Sequence, residues 1–486
     1  MNTVQRVAVN TGVILAGRFA ELLIRLIPVI FMTRDLGSEG YGEYAYILAF
    51  VGFFSIFIDM GIDTVLVRET SIDSSRIEKL VGNVIIMKFF LSIIIFIVAL
   101  AGAYLLNVSS SKFTGIAIVS IILLSGAYKV PLDSYFRINL RMQYSTLATL
   151  AGSVVFAIAV LLVIYLKGGI VYFLAAYALS YIVDFIITLS LSLKFVRPEL
   201  AVDMGLWKQI IRSALPVGLA DIFIVTYGKL GILMLAWMQN DAAVGYFAAP
   251  SGLVYKLDII PWALTISLLP VFSQYYDKNK SKWERANQLN FKYLLVVSLP
   301  LAVFISLFSD GIIDLIFGEK FGASALVLSV LIWSKVFVFL NYQLNRAMVS
   351  AGKQRLFTLA AGIMVVLNIG LNFLLIPGYS YIGASYAILF TEAFGTILLF
   401  YLLSSSTRMP MQISLYVRLG LITVSLYLLM PVLNLGAWIA FPVMAILYIS
   451  LLFALGVVDG EDVLFFRNVA SMKLEKSRFL DSGEKR

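Results

Sequence analysis

Runs of about 20 mostly apolar residues recur along this chain with short polar breaks between them, and an α-helix of that length crosses the hydrocarbon of a bilayer. Fourteen such spans are expected, at 9–33, 40–64, 81–106, 114–135, 146–166, 169–194, 210–238, 245–273, 290–308, 325–349, 357–376, 382–403, 413–433 and 438–457. Composition agrees: 61% of the 486 residues are hydrophobic, 13% are charged and mean hydropathy is +0.94. The expectation is an all-α integral membrane protein. The first span is too long and too charged for a cleaved signal peptide and reads as a retained helix.

The chain contains no cysteine and no histidine. Thiol nucleophiles, imidazole bases, disulfides and the common zinc sites are thereby excluded, and no metal or cofactor site is expected. The net charge of +9 does not point to nucleic acid, because its carriers cluster by position. Twenty-six of the 37 Lys and Arg residues lie in or beside the N-terminus, the loops after even-numbered spans and the C-terminal tail. The loops after odd-numbered spans hold only Arg34, Lys112, Lys167 and Lys320. By the positive-inside rule both termini are cytoplasmic, and a multi-pass protein of the cell membrane is expected. Lys and Arg near the ends of the C-terminal tail 472–486 make it a charged cytoplasmic extension.

An internal repeat organises the spans. "YGEYAYILAFV" (41–51) answers "VGYFAAPSGLV" (244–254) at an offset of 203, "TLAG" (149–152) answers "LAAG" (359–362), and "AYAL" (176–179) answers "SYAI" (385–388). Two six-helix bundles, 1–204 and 205–404, are expected, followed by two additional helices at 405–458 and a tail at 459–486. Six is an even number, so the bundles share one topology and their pseudo-twofold axis runs along the membrane normal.

Charges inside the spans are the candidate functional residues, because they are costly in hydrocarbon and face protein or water. In "GRFAELLIRLIPVIF" (17–31), Arg18, Glu21 and Arg25 fall within about 60° of one another on the first helix. Glu21 could simply brace its arginines, yet two cations against one anion leave a positive remainder suited to a phosphate or diphosphate. Span seven carries Asp221 and Lys229 behind Pro216 and Gly218, and span eight carries Lys256 and Asp258 before Pro261. Lys256 and Asp258 are two residues apart and cannot share a face, so at least one must find a partner elsewhere. Lys335, Asp184 and Glu392 also lie in apolar runs, the two acids at nearly matching places in the repeat. Lys88 is close enough to a span end to snorkel, and Asp59 and Asp63 read as interfacial brackets beside Arg68.

The stretches "FMTRDLGSEGYGEYAYILAF" (31–50) and "DMGIDTVLVRET" (59–70) resemble the N-terminal signature of the Wzx-type polysaccharide and oligosaccharide flippases, a branch of the multidrug/oligosaccharidyl-lipid/polysaccharide exporter superfamily. The segment 244–276, with Pro261, Pro270 and Ser273, is similar to that family's eighth helix. The segment 345–387, with Ala351-Gly352-Lys353, Asn368, Asn372 and Ile376-Pro377, is similar to its tenth to twelfth. The resemblance implies a transporter, not an enzyme, that turns a polyprenyl-linked oligosaccharide between leaflets by alternating access. It implies that Arg18 and Arg25, with Lys256 by position and charge only, hold the diphosphate; Lys229, a cation inside span seven, is a further candidate for the same group. Span two offers no interior cation, which departs from the lipid II flippases and favours another undecaprenyl- or dolichyl-linked glycan. Tyr227, Tyr255, Tyr342 and Asn345 are candidate sugar contacts. Glu21, Asp184, Asp221, Asp258 and Glu392 are cavity or coupling candidates for a proton or sodium ion. Membrane lipid and glycan-assembly enzymes are the implied partners. A cation or drug antiporter of the same superfamily stays open. A membrane-embedded glycan polymerase or glycosyltransferase fits less well, because no large extramembrane loop carries acids or metal ligands.

Overall fold

The computed structural model describes residues 3–266, 272, 275, 276, 278–404, 413–433 and 436–458. Among them there is no strand, and ten helices are long and apolar enough to cross a membrane. Two of these runs, 12–70 and 354–404, each hold two of the expected spans. Helix α1 (Thr3–Asp59) breaks at Gly37, whose φ of 67° lies in the left-handed region that costs glycine little. After a second left-handed turn at Met60 and Gly61 the chain continues as α2 (Ile62–Ile72).

Spans three to seven form α3 (Ile77–Leu105), α4 (Ser110–Val119) with α5 (Ile121–Ile138), α6 (Met142–Tyr165), α7 (Ile170–Ser192) and α8 (Met204–Met238). Span eight is split into α9 (Asp241–Lys256) and α10 (Ile259–Ile266) by a two-residue turn at Leu257 and Asp258. The remainder of that span, with Pro270 and Ser273, lies outside the described residues, as does the tail 459–486. Next come α11 (Lys280–Leu307), α12 (Ser309–Phe317), α13 (Ser324–Ser350) and α14 (Gln354–Ser404), the last broken at Ser380. Helices α15 (Ile413–Leu433) and α16 (Ala437–Ala454) complete the chain.

Helix α11 starts ten residues before the expected span, and local chemistry explains why. The Asn279 side chain accepts from the Lys282 N–H as an N-cap, and buried Trp283 donates to Ser350 Oγ at 3.0 Å. Pro216 does not interrupt α8, which runs through it as one helix of 35 residues.

Helices α1 and α3 to α7 pack on one another, as do α8, α11, α13 and α14. Helices α15 and α16 rest against α11. The two groups meet mainly where the part of α1 beyond Gly37 crosses α9. A Cβ on Gly42 would strike the Asp241 carbonyl, and one on Gly245 would strike the Ser38 carbonyl. Gly42 and Gly245, like Ser38 and Asp241, are separated by the repeat offset of 203, so the contact is self-complementary, and hydrogen side chains let the backbones touch. Lys112 adds an ion pair to Asp241 at 2.7 Å, and Arg34 donates to the Leu315 carbonyl at 2.5 Å. Beneath this seal one hydrophobic cluster, with Ile47, Phe50, Val244, Phe247 and Leu328, draws on both groups.

Candidate functional site

The seal at Gly42 and Gly245 leaves the deeper parts of α1 and α9 separated, and a cavity of about 250 Å³ lies between them. Helix α1 contributes Arg18, Glu21, Leu22 and Arg25 to its wall, the stripe that helical spacing puts on one face. Opposite stand Tyr255, Lys256, Asp258, Ile259 and Trp262 from α9 and α10, with Tyr342 from α13. Cations and aromatic rings dominate the lining, which suits an anion carrying an apolar-faced group.

The two arginines of α1 are held differently. Arg25 Nε lies 3.3 Å from Glu21 Oε1 and donates to Ser153 Oγ on α6 at 3.0 Å. Its guanidinium also lies over the rings of Phe156 and Tyr181. Arg25 is therefore anchored in the first helix group. Arg18 makes no ion pair among the described residues; its guanidinium carbon sits 4.7 Å from the centre of the Trp262 ring, across the cavity. Lys256 likewise has no acidic partner among the described residues. Arg18 and Lys256 thus present uncompensated positive charge, whereas Glu21 answers Arg25.

Asp258 finds its partner on another helix, as its spacing from Lys256 requires. Lys335 Nζ on α13 donates to both carboxylate oxygens at 2.8 and 3.0 Å and lies 4.5 Å from the Tyr255 ring centre. The turn at Leu257 and Asp258, between α9 and α10, aims the carboxylate at α13 while Lys256 stays exposed.

The cavity does not include the other candidates. Lys229 packs against Gly52 of α1, and Asp221 makes no hydrogen bond among the described residues. Tyr227 donates to Glu392 Oε1 at 2.7 Å, and Asn341 Nδ2 donates to Glu392 Oε2 at the same distance. Asp184 lies 3.5 Å from Lys129 and accepts from Thr149 and Thr188. The acids at 184 and 392 are thus buried in satisfied polar networks, not in bare hydrocarbon. Asn345 lies off the lining, half-buried on α13.

A cluster away from the cavity corrects a sequence expectation. Lys88 does not snorkel: its side chain is 2% exposed, and Nζ bridges Asp59 Oδ1 at 2.6 Å and Asp63 Oδ1 at 2.8 Å. Asp59 and Asp63 bracket Lys88 rather than Arg68, which pairs with Glu69 at 2.7 Å. The left-handed turn at Met60 and Gly61 folds both carboxylates onto α3, a reversal that helical spacing cannot express.

Sequence reasoning passed over two residues. Trp262 was hidden by its apolar run, although it lies on α10 one turn past Asp258. Arg346 is half-buried one turn beyond Tyr342 on α13. The i, i+4 spacing of Tyr342 and Arg346 is a signal that was present.

The geometry can be set beside known proteins. The probable low-salt glycan biosynthesis flippase Agl15 of Haloferax volcanii is 26% identical over 202 residues, 41% of this chain and 42% of that protein, so the match spans less than half its length. A Shigella flexneri protein assigned as an O-antigen transporter is 22% identical over 408 residues, 76% of this chain and 91% of that one. The fold is shared with the lipid II flippase MurJ in an inward closed conformation: the TM-score is 0.75 at 12% identity, covering 95% of this chain and all of the other. A family model described as MatE matches residues 216–374. The model described as polysaccharide biosynthesis protein matches residues 7–276, more than half of the chain and every residue of the cavity wall except Tyr342. This multi-pass membrane protein belongs to the polysaccharide biosynthesis protein family.

Proposed function

We propose that the chain is a flippase that moves a polyprenyl-phosphate- or polyprenyl-diphosphate-linked oligosaccharide from the cytoplasmic to the outer leaflet of the cell membrane. The observation that carries this reading is the cavity between the two helix groups, where Arg18 and Lys256 stand without acidic partners opposite each other. A sugar head group cannot cross hydrocarbon without giving up its hydrogen bonds to water, whereas an isoprenoid tail has no reason to leave lipid. A cationic, aromatic cavity between two bundles serves the head group alone. The phosphate meets Arg18, Arg25 and Lys256; Tyr255 and Tyr342 face the sugars. The relatives named as a glycan flippase and an O-antigen transporter support the same substrate class.

In this reading the basic loops and both termini are cytoplasmic. The bundles 1–204 and 205–404 rock about the Gly42–Gly245 seal, which closes the outer side. Lys229 and Asp221, away from the cavity here, take part only if the bundles move. A proton or sodium ion exchanging at Asp184, Asp221 or Glu392 could drive the cycle, and glycan-assembly enzymes supply and consume the lipid. The relatives named as a flippase and an O-antigen transporter support a transporter and not an enzyme.

The test uses purified protein in liposomes, a labelled polyprenyl-diphosphate oligosaccharide inside, and a glycan-cleaving enzyme outside. Protein-dependent cleavage that falls in Arg18→Ala is the expected result. Cleavage no faster than in empty liposomes, with cationic dyes pumped instead, would favour the antiporter reading, which the MatE match over 216–374 keeps in view.

A further inference from the structure

We propose that Trp262 reads the first sugar of the lipid-linked glycan, and that its ring is released for this purpose when the phosphate group takes Arg18. The proposal rests on the flippase reading and deepens it. Three observations meet at one place. The Arg18 guanidinium lies 4.7 Å from the Trp262 ring centre, reaching from α1 in one helix group to α10 in the other. Arg18 has no carboxylate partner among the described residues, so this aromatic face is its recorded contact. Trp262 is half-buried in the cavity wall one turn beyond Asp258, whose carboxylate is held by Lys335.

The chemistry orders these contacts. A guanidinium over an indole is a modest attraction, whereas a guanidinium facing phosphate oxygens makes two parallel charge-assisted hydrogen bonds. A phosphate seated between Arg18 and Lys256, away from the ring, draws Arg18 off it, because the in-plane bonds to its oxygens outweigh the hold of the indole face. One indole face is then uncovered beside the phosphate site, where the first sugar of a lipid-linked glycan must lie. Pyranose rings carry an apolar face of C–H bonds, and laying it on indole removes both surfaces from water. The Asp258 carboxylate retains acceptor capacity for hydroxyls at the ring edge. Without substrate, the same indole occupies Arg18 and ties the two groups together.

This arrangement predicts different responses to two probes. Binding of undecaprenyl diphosphate and of undecaprenyl-diphospho-N-acetylglucosamine is measured on the purified full-length chain, for wild type, Trp262→Leu and Trp262→Phe. Thermal unfolding of each variant shows that the fold persists. In Trp262→Leu, affinity for the glycosylated lipid falls by roughly tenfold, the worth of one aromatic platform. Affinity for the bare diphosphate stays the same or rises, because Arg18 no longer has a competing partner. Trp262→Phe, with a smaller ring, falls between. Equal losses for both probes, or no loss for either, would overturn the role of Trp262 while leaving the flippase reading standing. Failure of the wild type to bind either probe would overturn both.

Discussion

Two groups of charges lie within the membrane-embedded part of this molecule, and they are built on opposite plans. Lys88 is wrapped by Asp59 and Asp63, with its side chain 2% exposed. Arg18 and Lys256 face a cavity with no acid answering either among the described residues. The first plan is that of a structural element: the charge is desolvated permanently, and two carboxylates satisfy it. The second is the plan that the proposed binding site calls for: positive charge is left over at the wall of a cavity. Removing a charge from the two plans should therefore have different consequences.

The largest effect is expected for Lys88→Met. Asp63, whose side chain is 13% exposed, would be left beside Asp59 with no cation, and breaking a buried pair from one side costs about 3–5 kcal/mol. Yield of folded protein and thermal midpoint should both collapse, and recovery in the triple variant with Asp59→Asn and Asp63→Asn would show that the unpaired carboxylates caused it. A Lys88→Met protein of normal stability would break the contrast.

Arg18→Ala should behave in the opposite way. The thermal midpoint stays close to wild type, because no ion pair is lost, while affinity for a polyprenyl diphosphate drops. A hydrogen bond to a charged group is worth about 1.5–3 kcal/mol, roughly ten- to a hundredfold in binding. Unchanged binding and flipping in Arg18→Ala would assign the arginine to the Trp262 contact alone.

A third test addresses the seal that sets the cavity's depth. Gly42→Val and Gly245→Val put a side chain where a backbone carbonyl now lies, so the helices must separate. Because the chain has no cysteine, Lys112→Cys with Asp241→Cys, whose parent side chains meet at 2.7 Å beside the seal, gives a pair for a short bifunctional cross-linker free of background. Cross-linking should be efficient in the parent and weak in either valine variant. Equal yields would show that the contact is not a close one.

The smallest effect concerns the turn before α8. Asp203 accepts from the Leu206 N–H as an N-cap and pairs with Lys79 at 2.9 Å. The Lys79 contact, then the capping N–H, hold its carboxyl below the usual carboxylate range. Such a group adds stability that is fully present above the unfolded pKa of about 3.9 and is lost as pH falls through the lower folded value. Asp203→Asn should lower the thermal midpoint slightly at neutral pH and by less near pH 3. A difference independent of pH would remove the carboxylate from the explanation.

The cavity was partly legible in advance because helical spacing is a local rule. Arg18, Glu21 and Arg25 share a face whatever surrounds them, and Lys256 and Asp258 must diverge whatever they meet. Partner identity was not legible. Lys335 reaches Asp258 from 77 positions away, and Lys88 reaches Asp59 only because the chain turns left-handed at Met60 and Gly61. Lys229 looked equivalent to Arg18 as a charge in a span, yet it lies against Gly52 and outside the cavity. Trp262 had no charge to mark it; only proximity to Arg18 gives it a role.

By itself, the amino-acid order determined that this is a helical membrane protein of about fourteen spans with charges striped on the first. Hydrophobic run length and the 3.6-residue period are properties of each segment alone, so they survive without knowledge of the fold. The tertiary structure decided which charges are compensated, which glycines touch across the repeat, and which ring meets Arg18. Those outcomes depend on distances between segments far apart in the chain, and the low-dielectric interior makes a few ångströms the difference between a brace and a binding site.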